Sequence, residues 1–439
     1  MDKCIALNPS DVEFYKLKGN VLKNQHKFEA AVDCFDLCLK RNPNQDEVLY
    51  TKGLLYKTLQ QHEQAVKCFD ACLHLNPDYF EAHYSKADSL ATSLDRLSAA
   101  LDSYAECVRL NPGSTDVYNA RGDILRTLGR SEEAIVEYNQ AIHADSSDAQ
   151  AYYGKGETLL RLKRYTHAVE CFDDAIRLGP NEALAYFLKG NALFHAGQYA
   201  AAIECFDEYM SRQPSDSLAY LYRGNAYSRM GKFEIAIYNY NESLKLNYDD
   251  HLVHFEKAKT LLYLKRHVDS IESFNQALRV NPRDALAHEY KGYIYAHLKM
   301  YEKSLECFDE QLRISPSATG FFNKGDVLDR LHEYAQSIEC FDRALNVDPQ
   351  FVDAYFNKGL VFDRLGKFAE AIQCYDTCIK IEPRMVDAYT FKGYALKKMN
   401  KLKEALECFN YAVEKNPQDY LARFNKGVLS ESKIEESNV

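Results

Sequence analysis

Apolar and polar positions alternate along this chain in a pattern that returns about every 34 residues. Between Ala149 and Glu182, apolar side chains follow helical spacing twice, over residues 149–162 and again over 164–178. Pro180 comes directly after, and proline both lacks the N–H of a helical residue and disfavours helix for the residue before it. The pattern therefore predicts a hairpin of two α-helices, the second of which ends at the proline.

The same marks return along nearly the whole chain, so positions are numbered here from Ala149 as position 1. Position 8 is glycine or alanine, position 20 alanine or serine, position 24 phenylalanine or tyrosine, and all eleven prolines fall at position 32. Such a period is typical of proteins built from stacked repeats, each contacting its neighbours. We predict a truncated unit at 1–11, a capping helix at 420–432, a polar tail at 433–439, and twelve complete units at 12–45, 46–79, 80–114, 115–148, 149–182, 183–216, 217–250, 251–284, 285–317, 318–351, 352–385 and 386–419.

Glycine at position 8 predicts close packing inside each hairpin. Glycine within a helix costs about 0.5–1 kcal/mol relative to alanine, so its recurrence implies a packing reason. We expect position 8 to face the small residue at position 20, and the aromatic ring at position 24 to fill space toward the next unit. Four further glycines stand at position 15, where they suit the turn between the helices: Gly129, Gly197, Gly231 and Gly366.

With these residues and Ala or Cys at position 27, the chain resembles the tetratricopeptide repeat (TPR) family over about residues 1–430. It departs from the family at position 4, where tryptophan is frequent in the family but absent from this chain. The resemblance implies an all-α fold, a right-handed superhelical α-solenoid of TPR hairpins, in which one face of the first helices lines a concave groove. It leaves the ligand undefined, because fold does not fix function.

Composition and charge narrow the classes of partner. A formal net charge of −10 argues against a nucleic-acid groove, which needs an excess of lysine and arginine to neutralise phosphates. No apolar run is long enough for a membrane span, and no secretion signal stands at the N-terminus. We therefore expect a protein or peptide partner, with no nucleic acid and no membrane.

All thirteen cysteines stand at position 23 or position 27, where a thiol behaves as a small hydrophobic group. Three pairs have the spacing that could place two metal ligands on one helix: Cys34 and Cys38, Cys68 and Cys72, and Cys374 and Cys378. Because no histidines stand at matching spacing, we interpret the thiols as packing groups and expect no metal or cofactor. Unpaired thiols in this number indicate a reducing, cytoplasmic location.

Position 7 is basic in all thirteen units, and position 25 is aspartate in seven. Regular cations could form a track for phosphates. The interpretation we favour is an ion pair across each hairpin, with the lysine stem packed and its amine reaching the carboxylate.

Positions 2, 5, 9 and 12 of the first helix share one face, which is the groove face in the TPR family. Position 2 is acidic in the first four units, leucine in the sixth to ninth, and aspartate again in the eleventh and twelfth. We expect a peptide to bind in the apolar middle of this face, because exposed contiguous apolar surface usually marks an interaction. The candidate residues are Tyr153, Leu160, Leu184, Phe187, Asn191, Phe194, Leu218, Leu221, Asn225, Leu252, Phe255, Leu262 and Leu286.

Asn191 and Asn225 are expected to hydrogen-bond a peptide backbone. The aromatic residues at position 5 have a second interpretation, because they are common in the family and partly packed. Acidic residues flank the apolar middle and would steer a cationic segment toward it: Glu47, Glu81 and Asp116 on one side, and Asp329, Asp353 and Asp363 on the other. The predicted partner therefore carries apolar and basic residues, and self-association through the groove stays open.

Known uses of the family give no closer match. The TPR clamp for acidic chaperone tails is matched by Lys16 and Asn20, but Thr51, Glu81 and Ser85 depart from it. No catalytic motif is present, which favours a non-catalytic interaction scaffold or adaptor. The alternatives are a partner-recruiting arm of a larger multidomain enzyme, which the half unit at residues 1–11 keeps open, and an RNA-binding repeat protein, which the negative charge disfavours. The ending Ser437-Asn438-Val439 fits the S-x-V motif that PDZ domains bind.

Overall fold

The computed structural model describes residues 11–92, 94–179 and 183–437, and within these ranges it holds 25 α-helices, one short 3₁₀-helix and no strand. Successive helices pair as antiparallel hairpins, and each hairpin packs against the next within a unit. The helices form two compact units, Met1–Met230 and Gly231–Val439, which are described separately. The predicted all-α solenoid of tandem hairpins is confirmed.

The first helix of every hairpin carries an odd number here and the second an even number. Unit 1 contains α1 Val12–Asn24, α2 Phe28–Arg41, α3 Asp46–Thr58, α4 His62–Leu75, α5 Phe80–Leu90, the 3₁₀-helix Leu94–Arg96, α6 Leu97–Leu110, α7 Thr115–Thr127, α8 Ser131–Ala144, α9 Ala149–Arg161, α10 Tyr165–Leu178, α11 Ala183–His195, α12 Tyr199–Arg212 and α13 Ser217–Arg229. Unit 2 contains α14 Phe233–Leu246, α15 His251–Tyr263, α16 His267–Val280, α17 Ala285–His297, α18 Tyr301–Ile314, α19 Ala318–Arg330, α20 Tyr334–Val347, α21 Val352–Arg364, α22 Phe368–Ile381, α23 Val386–Lys398, α24 Leu402–Lys415 and α25 Tyr420–Ser437. The last helix thus extends beyond the 420–432 predicted for it.

Local side chains explain where the helices begin. Several first helices start after an aspartate whose carboxylate accepts hydrogen bonds from backbone N–H groups of the first turn: Asp148, Asp216, Asp250 and Asp284. The turn to the second helix places position 15 in the left-handed region. All four glycines predicted there have φ between +71° and +80°, and Lys163 and Lys299 are among the other residues that adopt the same conformation.

The aromatic ring at position 24 lies on the position-8 residue of its own hairpin. A methyl group added to Gly190 would lie 2.7 Å from Cε1 of Phe206, a ring with no exposed surface. Position 20 is also adjacent, because the Ser304 hydroxyl donates to the Gly292 carbonyl at 2.7 Å. The expected contact between positions 8 and 20 is confirmed, and the ring at position 24 is a second contact of position 8, which the sequence analysis did not predict.

The same ring also reaches the next hairpin, as expected. The Phe206 centroid lies 6.1 Å from that of Tyr222, and the Phe274 centroid lies 5.6 Å from that of Tyr290, the second pair stacked. One buried side chain therefore joins the two helices of a hairpin to each other and to the following first helix.

Seven basic residues at position 7 form ion pairs between hairpins, whereas Arg121 pairs with Glu137 of its own hairpin at 2.9 Å. Each of the seven aspartates at position 25 pairs with the basic residue of the following hairpin, so the predicted location of the pairs is wrong. Lys52 pairs with Asp36. Six more pairs, at 2.5–2.7 Å, are Lys86 with Asp70, Lys189 with Asp173, Arg223 with Asp207, Lys324 with Asp309, Lys358 with Asp342, and Lys392 with Asp376. Because their carboxylates are about half exposed, such pairs contribute only ~0–1 kcal/mol each and mainly set alignment.

The ring contact predicts opposite effects for one substitution at two equivalent glycines. Gly393→Ala would place a methyl group 2.8 Å from the buried Phe409 ring. We expect it to lower the free energy of unfolding by about 1–3 kcal/mol despite the better helix propensity of alanine. Gly427 has the same position in the next unit but no atom within 4 Å of the added methyl group, so Gly427→Ala should raise stability by up to about 1 kcal/mol. Urea unfolding followed by circular dichroism measures both, and equal signs would contradict the packing account.

Two histidines at position 4 predict a pH-dependent stability of unit 2. Nε2 of His254 donates to the Tyr248 carbonyl at 2.9 Å, and that of His288 to the Pro282 carbonyl at 3.3 Å. Burial lowers the pKa of both imidazoles. Their contribution to stability is therefore complete above the ordinary pKa of about 6.5 and is lost as the pH falls through and below that value.

Tyrosine provides the matched replacement, because the Tyr118 hydroxyl donates to the equivalent Pro112 carbonyl at 3.1 Å. We expect the double variant His254→Tyr and His288→Tyr to lose less melting temperature than the wild type between about pH 7.5 and pH 5.5. Differential scanning calorimetry at the two pH values is the measurement. If the variant and the wild type lose the same melting temperature between these pH values, the two imidazoles do not control the pH dependence of stability.

Candidate functional site

The candidate site lies on the face formed by positions 2, 5, 9 and 12 of the first helices. Within each unit, most first helices contact the first helix of the next hairpin, so their faces adjoin in a row. This arrangement places side chains that are about 34 residues apart in sequence next to each other.

In unit 1, the face presents two leucines at position 2 beside a half-buried phenylalanine. Leu184 is 47% exposed and Leu218 45%, while Phe194 packs partly against the core around Phe206. We call Leu184, Phe194 and Leu218 the unit 1 patch. Nearly half of each leucine side chain is therefore open to a partner.

Three other predicted anchors in unit 1 are packing residues. The Phe187 ring lies 5.2 Å from that of Tyr209 and 5.3 Å from that of Tyr222, and Tyr153 packs against Phe172. Leu221 is only 4% exposed, so its prediction as a surface anchor is wrong. Position 5 points partly inward, because a side chain there fills the space beside the position-24 ring.

The two asparagines and Leu160 contribute less than expected. Oδ1 of Asn191 is buried and accepts no hydrogen bond within the part of the chain that the structure describes. Asn225 already interacts within the protein. Leu160 packs partly against the core around Leu159. The asparagine oxygen is thus covered in this conformation, and recognition of a peptide backbone by these amides stays a prediction.

In unit 2, two leucines at position 2 are exposed, and one of them, Leu286, borders a cavity. Leu252 and Leu286 are each 57% exposed, whereas Phe255 is half-buried, 5.5 Å from the Phe274 ring and 5.8 Å from the Tyr290 ring. A cavity of about 330 Å³ is lined by Leu262, Leu286, Glu289, Tyr290, Tyr293 and Asn323. These six residues and Leu252 are called the Leu286 patch.

The sequence interpretation missed four residues of this cavity. Glu289, Tyr290, Tyr293 and Asn323 stand at positions 5, 6, 9 and 6 of their units. Position 6 was not included in the groove face, although its side chains reach it here. Glu289 was detectable as a carboxylate at a position that is aromatic in eight other units, and Tyr293 as a large ring at position 9.

Charges on this face of unit 2 are mostly compensated. Glu256 pairs with Lys259 at 3.0 Å, and Asp326 pairs with Arg330 at 2.9 Å. Glu289 has no hydrogen bond or ion pair with any residue in the described ranges, and burial raises the pKa of its carboxyl group. It therefore leaves one uncompensated carboxylate beside exposed apolar surface.

The predicted acidic flanks are less available than expected. Glu47 pairs with Lys16 at 2.5 Å, and Asp329 pairs with Arg364. Asp363 accepts a hydrogen bond from the Tyr375 hydroxyl at 2.6 Å, and burial raises the pKa of its carboxyl group. Long-range steering by these three carboxylates is therefore weakened by their partners.

The described residues offer no cluster of metal ligands. They contain no group of three or more histidine, cysteine or acidic side chains placed to hold a metal ion. The twelve cysteines that the structure describes are buried and unbridged, and burial raises the pKa of Cys72 and of Cys374 to about 11, which keeps both as thiols. No helix in the described ranges has the length and apolar character needed to cross a membrane.

Comparison with solved structures finds other tandem helical repeats. They include YrrB, described as a TPR protein with an unusual peptide-binding site (21% identity, 43% of this chain and 97% of that chain, TM-score 0.39). The Cut9–Hcn1 complex of the APC/C (12% identity, 95% and 96% coverage, TM-score 0.40) and yeast Tom70 (14% identity, 97% and 96%, TM-score 0.39) also match. At these scores no functional argument rests on them. No curated protein sequence matches the chain significantly.

Family models cover most of the chain. One model described as tetratricopeptide repeat matches residues 119–183, 164–217, 221–279, 255–319 and 392–433, which together exceed half of the sequence. Further tetratricopeptide or TPR models match residues 12–45, 47–79, 325–366 and 352–385. Together with the tandem hairpins and their glycine–aromatic packing, these matches show that the chain belongs to the tetratricopeptide repeat family.

Proposed function

We propose that this protein is an interaction scaffold that binds an apolar segment of a protein partner at the Leu286 patch. The observation that carries the proposal is the exposure of Leu286 at a cavity on the first-helix face, together with the exposure of Leu252 at the same position of the preceding hairpin. Exposed apolar surface beside a concavity is favourable for binding, because covering it removes apolar area from water at about 25 cal/mol per Å².

The acidic residues at position 2 of other hairpins support this proposal, because they contrast with the leucines here. The same helix position carries Glu47 in unit 1 and Asp353 and Asp387 in later hairpins of unit 2, so leucine is not needed for the fold. Polar residues at this position keep an exposed helix face soluble, and replacing them by leucine has a cost that binding would offset. The unit 1 patch, with Leu184 and Leu218, is a second surface of the same kind.

The size of the cavity limits what binds there. About 330 Å³ lies at the lower end of the ~300–1,000 Å³ found for ligand pockets and accommodates one or two side chains. The scaffold role therefore rests on a segment that spreads over neighbouring first helices and inserts single side chains. An adaptor function follows if the two patches bind different segments.

We expect the double variant Leu252→Ser and Leu286→Ser to weaken partner binding about 30- to 150-fold, since each lost leucine contact removes about 1–1.5 kcal/mol of apolar burial. Quantitative affinity capture from cell extract, followed by titration of the strongest captured protein, measures the effect. Val136→Ser and Val268→Ser are the matched controls, because these valines are 56% and 76% exposed on second helices. They should leave binding within about twofold.

Equal binding by the leucine variant and the wild type, with an unchanged melting curve, would contradict the proposal. Sedimentation of the purified chain separates the remaining possibility. If Leu252→Ser and Leu286→Ser convert a dimer to a monomer, the patch is a contact between two copies rather than a site for another protein. A captured set that binds both control variants weakly would place the site on the second helices instead.

A further inference from the structure

We propose that Glu289 and the cavity around it bind an arginine side chain of the partner segment, next to the residue that covers Leu286. This inference rests on the proposed function and specifies the chemistry of the segment. It is independent of the acidic flanks, because it depends on one carboxylate inside the cavity.

The first argument for an arginine is the position and charge of Glu289. It lies at position 5, where eight other units have an aromatic ring, and it lines the cavity with Leu262 and Leu286. Neighbouring carboxylates have cationic partners on their own helices, namely Lys259 for Glu256 and Arg330 for Asp326. For Glu289, none of the residues that the structure describes supplies a hydrogen bond or a counter-ion. The cavity therefore has a negative charge that its own walls do not neutralise.

The ionised carboxylate of Glu289 lowers the stability of the unbound protein. The carboxyl group is partly buried among apolar side chains, and this burial raises its pKa. A glutamate with a raised folded-state pKa destabilises the fold once the pH is above that value, because the ionised form is poorly solvated. Binding a cation would solvate the carboxylate again, so the penalty in the free state becomes part of the affinity for a positively charged ligand.

The other walls favour guanidinium over ammonium. Leu262 and Leu286 offer apolar surface for an alkyl stem, and the rings of Tyr290 and Tyr293 line the same cavity. Tyr293 is 58% exposed, so its ring surface is available for stacking. A guanidinium group is planar, stacks on aromatic rings and pairs with a carboxylate through two hydrogen bonds, whereas an ammonium is more strongly hydrated. The Asn323 side-chain carbonyl is a further acceptor at the cavity wall.

Peptides of one length test the assignment directly. Each carries leucines on both sides of a central residue, which is arginine, citrulline, lysine or norleucine; citrulline keeps the shape of arginine without its charge. Fluorescence anisotropy with the full chain measures their affinities. We expect arginine to bind at least about tenfold more tightly than citrulline, as for a hydrogen-bonded charge, and more tightly than lysine.

Glu289→Gln keeps the size of the side chain and removes its charge. We expect this variant to bind the arginine and citrulline peptides within about threefold of each other and to melt at a higher temperature than the wild type. Glu256→Gln is the control, since Glu256 is paired with Lys259, and it should retain the arginine preference. A purely structural glutamate would instead lower the melting temperature when replaced.

Each other outcome has a definite meaning. If the wild type binds arginine and citrulline peptides equally, or if the preference persists in Glu289→Gln, the arginine assignment is wrong while the apolar patch stands. If no leucine peptide binds, the assignment is also wrong, and the capture experiment with Leu252→Ser and Leu286→Ser alone decides the proposed function. If arginine amide binds as tightly as the peptide, the cavity is a small-molecule site and the peptide assignment fails.

Discussion

The fold depends on one repeated contact, the aromatic ring at position 24 against the bare backbone at position 8. Fully buried rings such as Phe206 and Tyr375 lie within van der Waals reach of a helical glycine, where a side chain would collide. Close-packed interiors tolerate such collisions poorly, so the contact fixes the distance between the two helices. Because the ring also touches the next first helix, the same contact sets the stacking of hairpins within each unit.

Packing and surface properties depend on different positions of the repeat, so one chain presents different surfaces on the same fold. Packing uses positions 8, 20 and 24, and the interhairpin ion pairs use positions 7 and 25. Position 2 takes part in neither set of contacts, so it changes from Glu47 to Leu252 and Leu286 while the helices stay alike. Position 5 lies between the two groups: Phe255 contributes to packing, whereas Glu289 gives up an aromatic contact and leaves a charge in a cavity.

The sequence alone predicts the hairpins, the turn glycines and the contact between positions 8 and 20, because these depend on marks repeated twelve times. It does not predict which face residues are exposed. Leu221 and Phe187 recur with the same period as Leu184, yet Leu221 is buried and Phe187 packs against the ring of Tyr222, and such packing depends on the distance between hairpins. The partner of Lys52 was predicted in the wrong hairpin for the same reason. An aspartate stands at position 25 both in its own hairpin and in the preceding one, and the repeat pattern does not distinguish them. Glu289 was missed because only the structure shows that Glu256 and Asp326 have cationic partners whereas Glu289 has none among the described residues.

The central claim is that the first-helix face of unit 2, rather than the surface of its second helices, contacts the partner. A photo-crosslinking amino acid placed at Tyr293, inside the Leu286 patch, or at Val268, exposed on α16, tests it directly. After irradiation in cell extract, the account predicts covalent adducts from position 293 that free leucine–arginine peptide suppresses, and none of these adducts from position 268. The same adducts from both positions, or adducts from position 268 alone, would contradict it.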